Sequence, residues 1–242
     1  MSLTSKAIVL GKENFGEADR YVIFYTKEWG IIHALAKSAR KSKKRYVGGL
    51  DLFCHDEISV RGNPGERPYL LELVVLNSFA GIRESLEKLL VAGRIVQWIR
   101  KLATAGAQPQ VFSLLGQTLA LIEKEPEESR IEFLHFIFRM KLLRYLGFSP
   151  RCTTCLRCGG SIDGLGALFD IPAGGALCVH CRPRNHDETL HLDPMEWSLL
   201  QAADQIRLTQ FGTVSPPSSP PDRLLRLTTQ FACYHTQVRL PV

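Results

Sequence analysis

Four cysteines constrain this chain more than any other feature. Cys155-Leu-Arg-Cys158 is followed by nineteen residues, the first of them Gly159, and then Cys178-Val-His-Cys181, a C-x2-C-x19-C-x2-C arrangement. Two residues between paired cysteines let both sulfurs turn towards one point, and the doubled pattern is that of zinc ribbons and related knuckles. Gly159 and Gly174-Gly175 are expected to supply the tight backbone each knuckle needs. Four thiolates fill the tetrahedral shell of Zn2+ and leave no position for water, so the expected role of the metal is structural. Its binding energy is then local folding energy for residues 150–190, which are rich in Gly and Cys and carry little periodicity. Some alternatives stay open at this level. Cys152-x2-Cys155-x2-Cys158 begins like a ferredoxin run, though no fourth cysteine follows at the required spacing. Cys152 could also replace Cys155 as a ligand or be a spare thiol, and His180 is either an alternative donor or an exposed bystander. Cys54 and Cys233 sit in apolar patterns and read as core residues. His55-Asp56-Glu57 matches the H-x-E of zinc deaminases by letter. Pro150 does not directly precede a cysteine, however, and a closed four-thiolate site has no room for the catalytic water.

The cysteines also bear on compartment. Residues 1–6 are polar and the apolar run at 7–10 is too short for a signal-peptide core. No stretch reaches the ~18 apolar residues of a membrane span. A reducing, cytoplasmic setting is therefore expected, where seven cysteines serve as ligands or core rather than as disulfides. With 45% hydrophobic and 22% charged residues the 242-residue chain can bury a core. Its net charge of +6 leans towards polyanionic partners.

The residue pattern predicts a multidomain α+β chain. Five short runs (6–12, 21–26, 30–37, 52–61 and 69–79) are rich in β-branched and aromatic residues. Turn signals separate them, and five strands in ~80 residues suit a small OB-fold barrel. Residues 82–103, 109–123 and 127–146 then follow helical spacing, the third stopped by Gly147 and Pro150. Asp193-Pro194 opens a helix to about 208, and a last helix spans 222 to about 238 after the Pro/Ser-rich stretch 215–221. The expected division is an OB-fold domain over 1–80, a helical domain over 81–149 and 191–242, and a zinc-binding insertion over 150–190.

A basic run sits in the loop after the third strand. Lys37, Arg40, Lys41, Lys43, Lys44 and Arg45 fall within nine positions, and no acid occurs between His33 and Leu50. Such charges repel one another unless solvent or a polyanion screens them. A solvated loop is the plain reading. On an OB-like barrel, a phosphate backbone is the stronger one. Tyr46 ends the run and is expected to stack on a base. No G-x4-G-K-[ST] or G-x-S-x-G motif occurs, so no ATPase or hydrolase is indicated and the chain reads as non-enzymatic.

Read in order, Ala7-Ile-Val-Leu10, Gly16-Glu-Ala-Asp-Arg20, Thr26-Lys-Glu-Trp-Gly30, Ala36-Lys-Ser-Ala-Arg-Lys-Ser-Lys43 and Gly48-Gly-Leu50 resemble the RecO family of bacterial recombination mediators. Leu146-Gly-Phe-Ser-Pro150, the two cysteine pairs and Gly174-Gly175 resemble the same family's zinc region. The resemblance implies an N-terminal OB-fold, a helical domain with a zinc-binding insertion, and a cytoplasmic, nucleoid-associated protein. It implies binding of single- and double-stranded DNA, annealing of complementary strands, and loading of RecA onto DNA coated by single-strand binding protein. RecR and the C-terminal tail of single-strand binding protein would be partners, and the RecA filament an indirect one. By position, Lys37, Arg40, Lys41, Lys43, Lys44 and Arg45 fall in the family's basic loop, with Ser38 where many relatives carry glycine. Cys155, Cys158, Cys178 and Cys181 fall on its metal positions. Arg94, Arg100, Arg139, Lys141 and Arg144 are candidates for an acidic tail. An RNA-binding or ribosome-associated zinc protein is the rival reading of the same barrel-plus-ribbon pattern.

Overall fold

The computed structural model describes residues 2–42, 45–103, 106–162, 166–181, 189–216 and 221–241. They form two compact units, Met1–Lys124 and Glu125–Val242.

The first unit is built on β1 (Ser2–Phe15), β2 (Asp19–Thr26), β3 (Gly30–Ala36), β4 (His55–Arg61) and β5 (Tyr69–Asn77), closed as a barrel in the order β1-β2-β3-β5-β4. Closure leaves no open sheet edge at β1, whose first half pairs with β4 and whose second half pairs with β2. A bulge between Val9 and Gly11 separates the two halves. The β3–β5 contact is parallel and limited to Leu35↔Tyr69. This is the five-stranded, OB-like barrel the strand pattern predicts. β1 runs longer than the predicted 6–12 because its ends are polar and exposed, so only its middle carries an apolar signal.

Ala7, Val9, Val22, Phe24, Ile32, Ala34, Ile58 and Val60 fill the barrel. Strand alternation turns Ile8, Leu10, Ile23 and Tyr25 outwards, yet these are buried too. Their cover comes from α1 (Ala80–Arg83), α2 (Leu86–Leu102) and α3 (Pro109–Lys124). The Phe112 ring lies 6.2 Å from Tyr25 and 5.7 Å from His55 between centroids, and Gly116 leaves room for Ile8. That double cover explains why 7–10 reads as an unbroken apolar run. The helix predicted over 82–103 is two helices, because Ser85 caps the second: its hydroxyl accepts from Lys88 N at 3.3 Å.

The second unit is organised around α4 (Glu128–Tyr145), which is buried on nearly all sides. Gly147, at φ +85°, ends it; Gly147 N donates to Arg144 O and Phe148 N to Leu143 O, a Schellman closure. A three-stranded antiparallel sheet follows, formed by β6 (Ala167–Asp170), β7 (Gly175–Leu177) and β8 (Thr189–Leu192) in the order β7-β6-β8. The sequence pattern did not predict this sheet; strands of three and four residues are too short to show alternation. α5 (Pro194–Gln205) opens with a capping box between Asp193 and Glu196. α6 (Asp222–Thr236) backs the sheet through Phe231, edge-on to Phe169 at 6.0 Å. No described helix is long and apolar enough to cross a membrane.

Candidate metal centre and nucleic-acid interface

The structure brings the four expected cysteines together. One sulfur from each of Cys155, Cys158, Cys178 and Cys181 lies within 4.8 Å of the others. Cys158 Sγ and Cys178 Sγ are 3.9 Å apart, against about 3.8 Å for a tetrahedron edge with Zn–S bonds of about 2.3 Å. The donor set and its spacing fit a closed tetrahedral zinc site.

Each knuckle has its own backbone reason. In the first, Gly159 N donates to Cys155 O and Cys155 N to Gly160 O, with Gly159 at φ +71°. In the second, Val179–Cys181 is a 3-10 turn in which Cys181 N donates to Cys178 O, and no glycine takes part. Gly174 and Gly175 work elsewhere than predicted. Gly174 turns the chain from β6 into β7 at φ +78°, and a Cβ on Gly175 would stand 2.5 Å from Arg151 O. Leu156 N then donates to Ala176 O, which places the first knuckle against β7 and so against the second. Burial raises the Cys155 thiol, but the backbone amides of Cys158, Cys178 and Arg157 and the Cys158 side chain together bring it down to about 6. Those amides favour a thiolate, the form a metal needs. Cys152 stands outside the cluster; its carbonyl accepts from Gln201 of α5 at 3.0 Å. His180 is exposed and also outside it.

The described part of the basic run is bonded to the β1–β2 turn and to β5. Lys37, Arg40, Lys41 and Arg45 are exposed; Lys43 and Lys44 lie outside the described residues. The run is tied down at several points. Arg40 N donates to Ala18 O and its guanidinium to Gly16 O, fastening the loop to the β1–β2 turn. Ser38 N donates to Asp19 Oδ1 at 2.7 Å, with Ser38 held at φ +57°. Arg45 donates to Leu71 O of β5 and lies over the Tyr46 ring. Tyr46 itself corrects an expectation. It is buried in the barrel core with its hydroxyl donating to Leu70 O at 2.9 Å, so it offers no face to a base. Other rings point outwards instead: Tyr21 and Tyr69, which the strand pattern treated only as β-formers, and Phe15, which lies beyond the predicted first strand. Phe15 and Tyr69 are exposed, Phe15 lies 4.8 Å from Tyr21, Lys37 Nζ sits 4.9 Å from the Tyr69 centroid, and Arg67 lies 5.5 Å from that of Tyr21. Their signal was alternation: Val22 and Leu70 point inwards, so Tyr21 and Tyr69 point out.

Of the cations considered for an acidic tail, Arg139 is fully buried. It donates to His135 Nε2, Leu225 O and Thr229 Oγ1, and a surface peptide cannot reach it.

Comparison with known proteins settles the family. The model described as Recombination protein O N terminal matches residues 1–79, and that described as Recombination protein O C terminal matches residues 83–242. The chain belongs to the RecO family. It is 34% identical over 179 residues to the DNA repair protein RecO of Rubrobacter xylanophilus, covering 74% of this chain and 71% of that one. The RecO protein of Syntrophotalea carbinolica is 32% identical over 184 residues, covering 74% and 69%. That of Myxococcus xanthus is 32% identical over 180 residues, covering 74% and 72%.

Proposed function

We propose that this RecO-family chain is a non-enzymatic DNA repair and recombination mediator of the cytoplasm. It binds single- and double-stranded DNA, anneals complementary strands, and helps load RecA onto DNA coated by single-strand binding protein, together with RecR. The observation that carries the reading is the exposed basic run fastened to an OB-like barrel. Annealing requires two polyanions to approach, and a cationic surface lowers their repulsion while base pairing selects the partner. Lys37, Arg40, Lys41, Lys43, Lys44 and Arg45 are assigned to the phosphates. Arg40 and Arg45 also hold the loop in place through backbone oxygens. Lys37 and Lys41 are exposed, and reversing their charge leaves intact the bonds that Arg40 and Arg45 make to Gly16, Ala18 and Leu71.

The metal has a different task. Cys155, Cys158, Cys178 and Cys181 would hold a structural zinc that keeps the β6–β7 hairpin folded, with no open coordination position for chemistry.

The test is annealing of complementary oligonucleotides, with binding measured across salt concentration, for the intact chain and for Lys37→Glu/Lys41→Glu. Slower annealing and a salt slope reduced by about one per lost phosphate contact are expected. Unchanged rate and slope would remove the loop from the interface. Preference for RNA over matched DNA strands in competition would favour the rival RNA-binding reading.

A further inference from the structure

Helices cover one outer face of the barrel, and another carries aromatic rings: Phe15 and Tyr69 are exposed, Tyr21 is half-buried, and Leu35 between the tyrosines is buried. Register places Glu13, Tyr21, Leu35 and Tyr69 in one row across β1, β2, β3 and β5. Neighbouring strands are about 4.8 Å apart, so Tyr21 and Tyr69 stand about 10 Å apart with Leu35 between them. Phe15, at the end of the β1–β2 hairpin, extends the row through its contact with Tyr21. Phe15 is 48% and Tyr69 46% exposed. Nothing in the fold requires these rings outside, since the barrel core and the helix-covered face are filled by other residues.

Each tyrosine also carries a cation. Lys37 lies over Tyr69 and Arg67 over Tyr21. A cation above a ring is attracted by the ring's quadrupole, an interaction worth little where water reaches it. A nucleotide offers both partners something better: its base stacks on the ring, and its phosphate takes the cation. Arg40 and Lys41 stand at the same end of the barrel, because the loop is bonded to the β1–β2 turn that also carries Phe15. Glu13, next to Tyr21 in the register, is the acid that limits the face on the β1 side.

We infer that Phe15, Tyr21 and Tyr69 form a stacking platform for two to three unpaired bases of single-stranded DNA, with Lys37 and Arg67 moving from the rings to the flanking phosphates. The platform rests on the DNA-binding reading above and adds a division of labour to it. Basic residues take any phosphate backbone, whereas the rings take only bases free of a duplex stack. Bases in a duplex already stack on each other, so the platform gives a preference for single strands that charge alone does not.

The experiment compares three probes of equal length by anisotropy: oligo-dT, the same backbone made abasic, and a duplex. The intact chain is expected to bind oligo-dT more tightly than the abasic strand. Phe15→Ala/Tyr69→Thr, which keeps a strand former in β5, should weaken oligo-dT binding by about tenfold or more. It should leave abasic and duplex binding within about twofold and the salt slope unchanged. Tyr69→Phe should retain most of the affinity. Equal losses on all three probes, or no loss on oligo-dT, overturn the platform. Equal binding of oligo-dT and the abasic strand by the intact chain overturns the platform and leaves the phosphate reading standing. An intact chain that binds none of the probes overturns both.

Discussion

The barrel and the cysteine-bearing sheet are both small β-structures, but different forces hold them. The barrel encloses an apolar cluster running from Ala7 to Leu70, contributed by all five of its strands. The buried residues of the cysteine sheet's own cluster are Cys155, Leu168, Leu177 and Cys178, so half of that core is thiol. On the knuckle side, at roughly 25 cal/mol per Å² of buried apolar surface, two buried leucines with part-buried Leu156 and Ile162 do not offset the ordering of some thirty residues at about 1 kcal/mol or more each, although Phe169 on the other face packs against α6. The barrel is therefore a hydrophobic fold that can present a charged loop. The sheet has a four-cysteine cluster in place of such a core, and a metal is its expected anchor.

Metal removal should break the comparison most visibly. Structural zinc supplies roughly 10 kcal/mol or more of local folding energy. Cys155→Ser, or chelation, should abolish bound zinc and amide-exchange protection across residues 151–181. Protection in the barrel strands should survive. Cys152→Ser should keep the metal, because the Cys152 sulfur is not one of the four that lie within 4.8 Å of one another. Metal analysis and hydrogen exchange on the two variants check this; loss of zinc from Cys152→Ser with retention in Cys155→Ser would reverse the ligand assignment.

The second unit has one further weak point not found among the barrel's described residues, a buried cation. Arg139 joins α4 to α6 through Leu225 O and Thr229 Oγ1. Arg139→Ala removes volume and leaves buried acceptors behind, at a cost of about 3–5 kcal/mol. Arg139→Met, which restores the volume, should cost less. Urea unfolding of the second unit's transition reads both.

The barrel carries the opposite defect, a buried acid. Asp56 is fully buried on β4, its inward side shared with Ile58 and Val60, and neither carboxylate oxygen has a hydrogen-bond partner among the described residues. Burial pushes its carboxyl up to about 7. The folded state therefore holds a proton that the unfolded chain releases near pH 4. Stability from this group is full below that pH and is lost as pH rises through about 7. Asp56→Asn stays neutral throughout. It should raise barrel stability at pH 8 by on the order of 2 kcal/mol, with the difference vanishing below pH 4. Denaturation midpoints at pH 4, 6 and 8 check it; a gain that does not grow with pH would mean the carboxylate is solvated.

What was legible in the sequence was whatever a few adjacent residues decide. The doubled C-x2-C, the stop at Gly147, the Asp193-Pro194 helix start and the five barrel strands all carry local signals, and each stands where expected. What was not legible depends on distant partners. Tyr46 follows a stretch with four basic residues in five positions, which suggested an exposed ring, but Leu70 and the barrel core claim it. Arg139 fits the basic end of a helix as well as a surface cation would, and only α6, some ninety residues on, makes it internal. The β6–β7–β8 sheet has too little apolar pattern to read because the cysteines stand in for much of its core.

The smallest effect concerns how rigidly the barrel holds its basic run. Ser38 sits at φ +57°, a left-handed conformation that costs a non-glycine residue roughly 1 kcal/mol. Backbone bonds keep it there: its N–H donates to Asp19 Oδ1, and its carbonyl accepts from Lys41 N and Ser42 N. These bonds do not involve the side chain, so Ser38→Gly keeps them and relieves the strain. Glycine also loosens the unfolded chain, which offsets part of the gain. The net expectation is stabilisation of the barrel by at most about 1 kcal/mol, with DNA affinity within about twofold of the parent. Ser38→Ala keeps the strain and should give no gain. If Ser38→Gly instead lowers both stability and affinity, the serine's restriction of the loop outweighs its strain, and a preordered cationic loop is part of how the barrel binds.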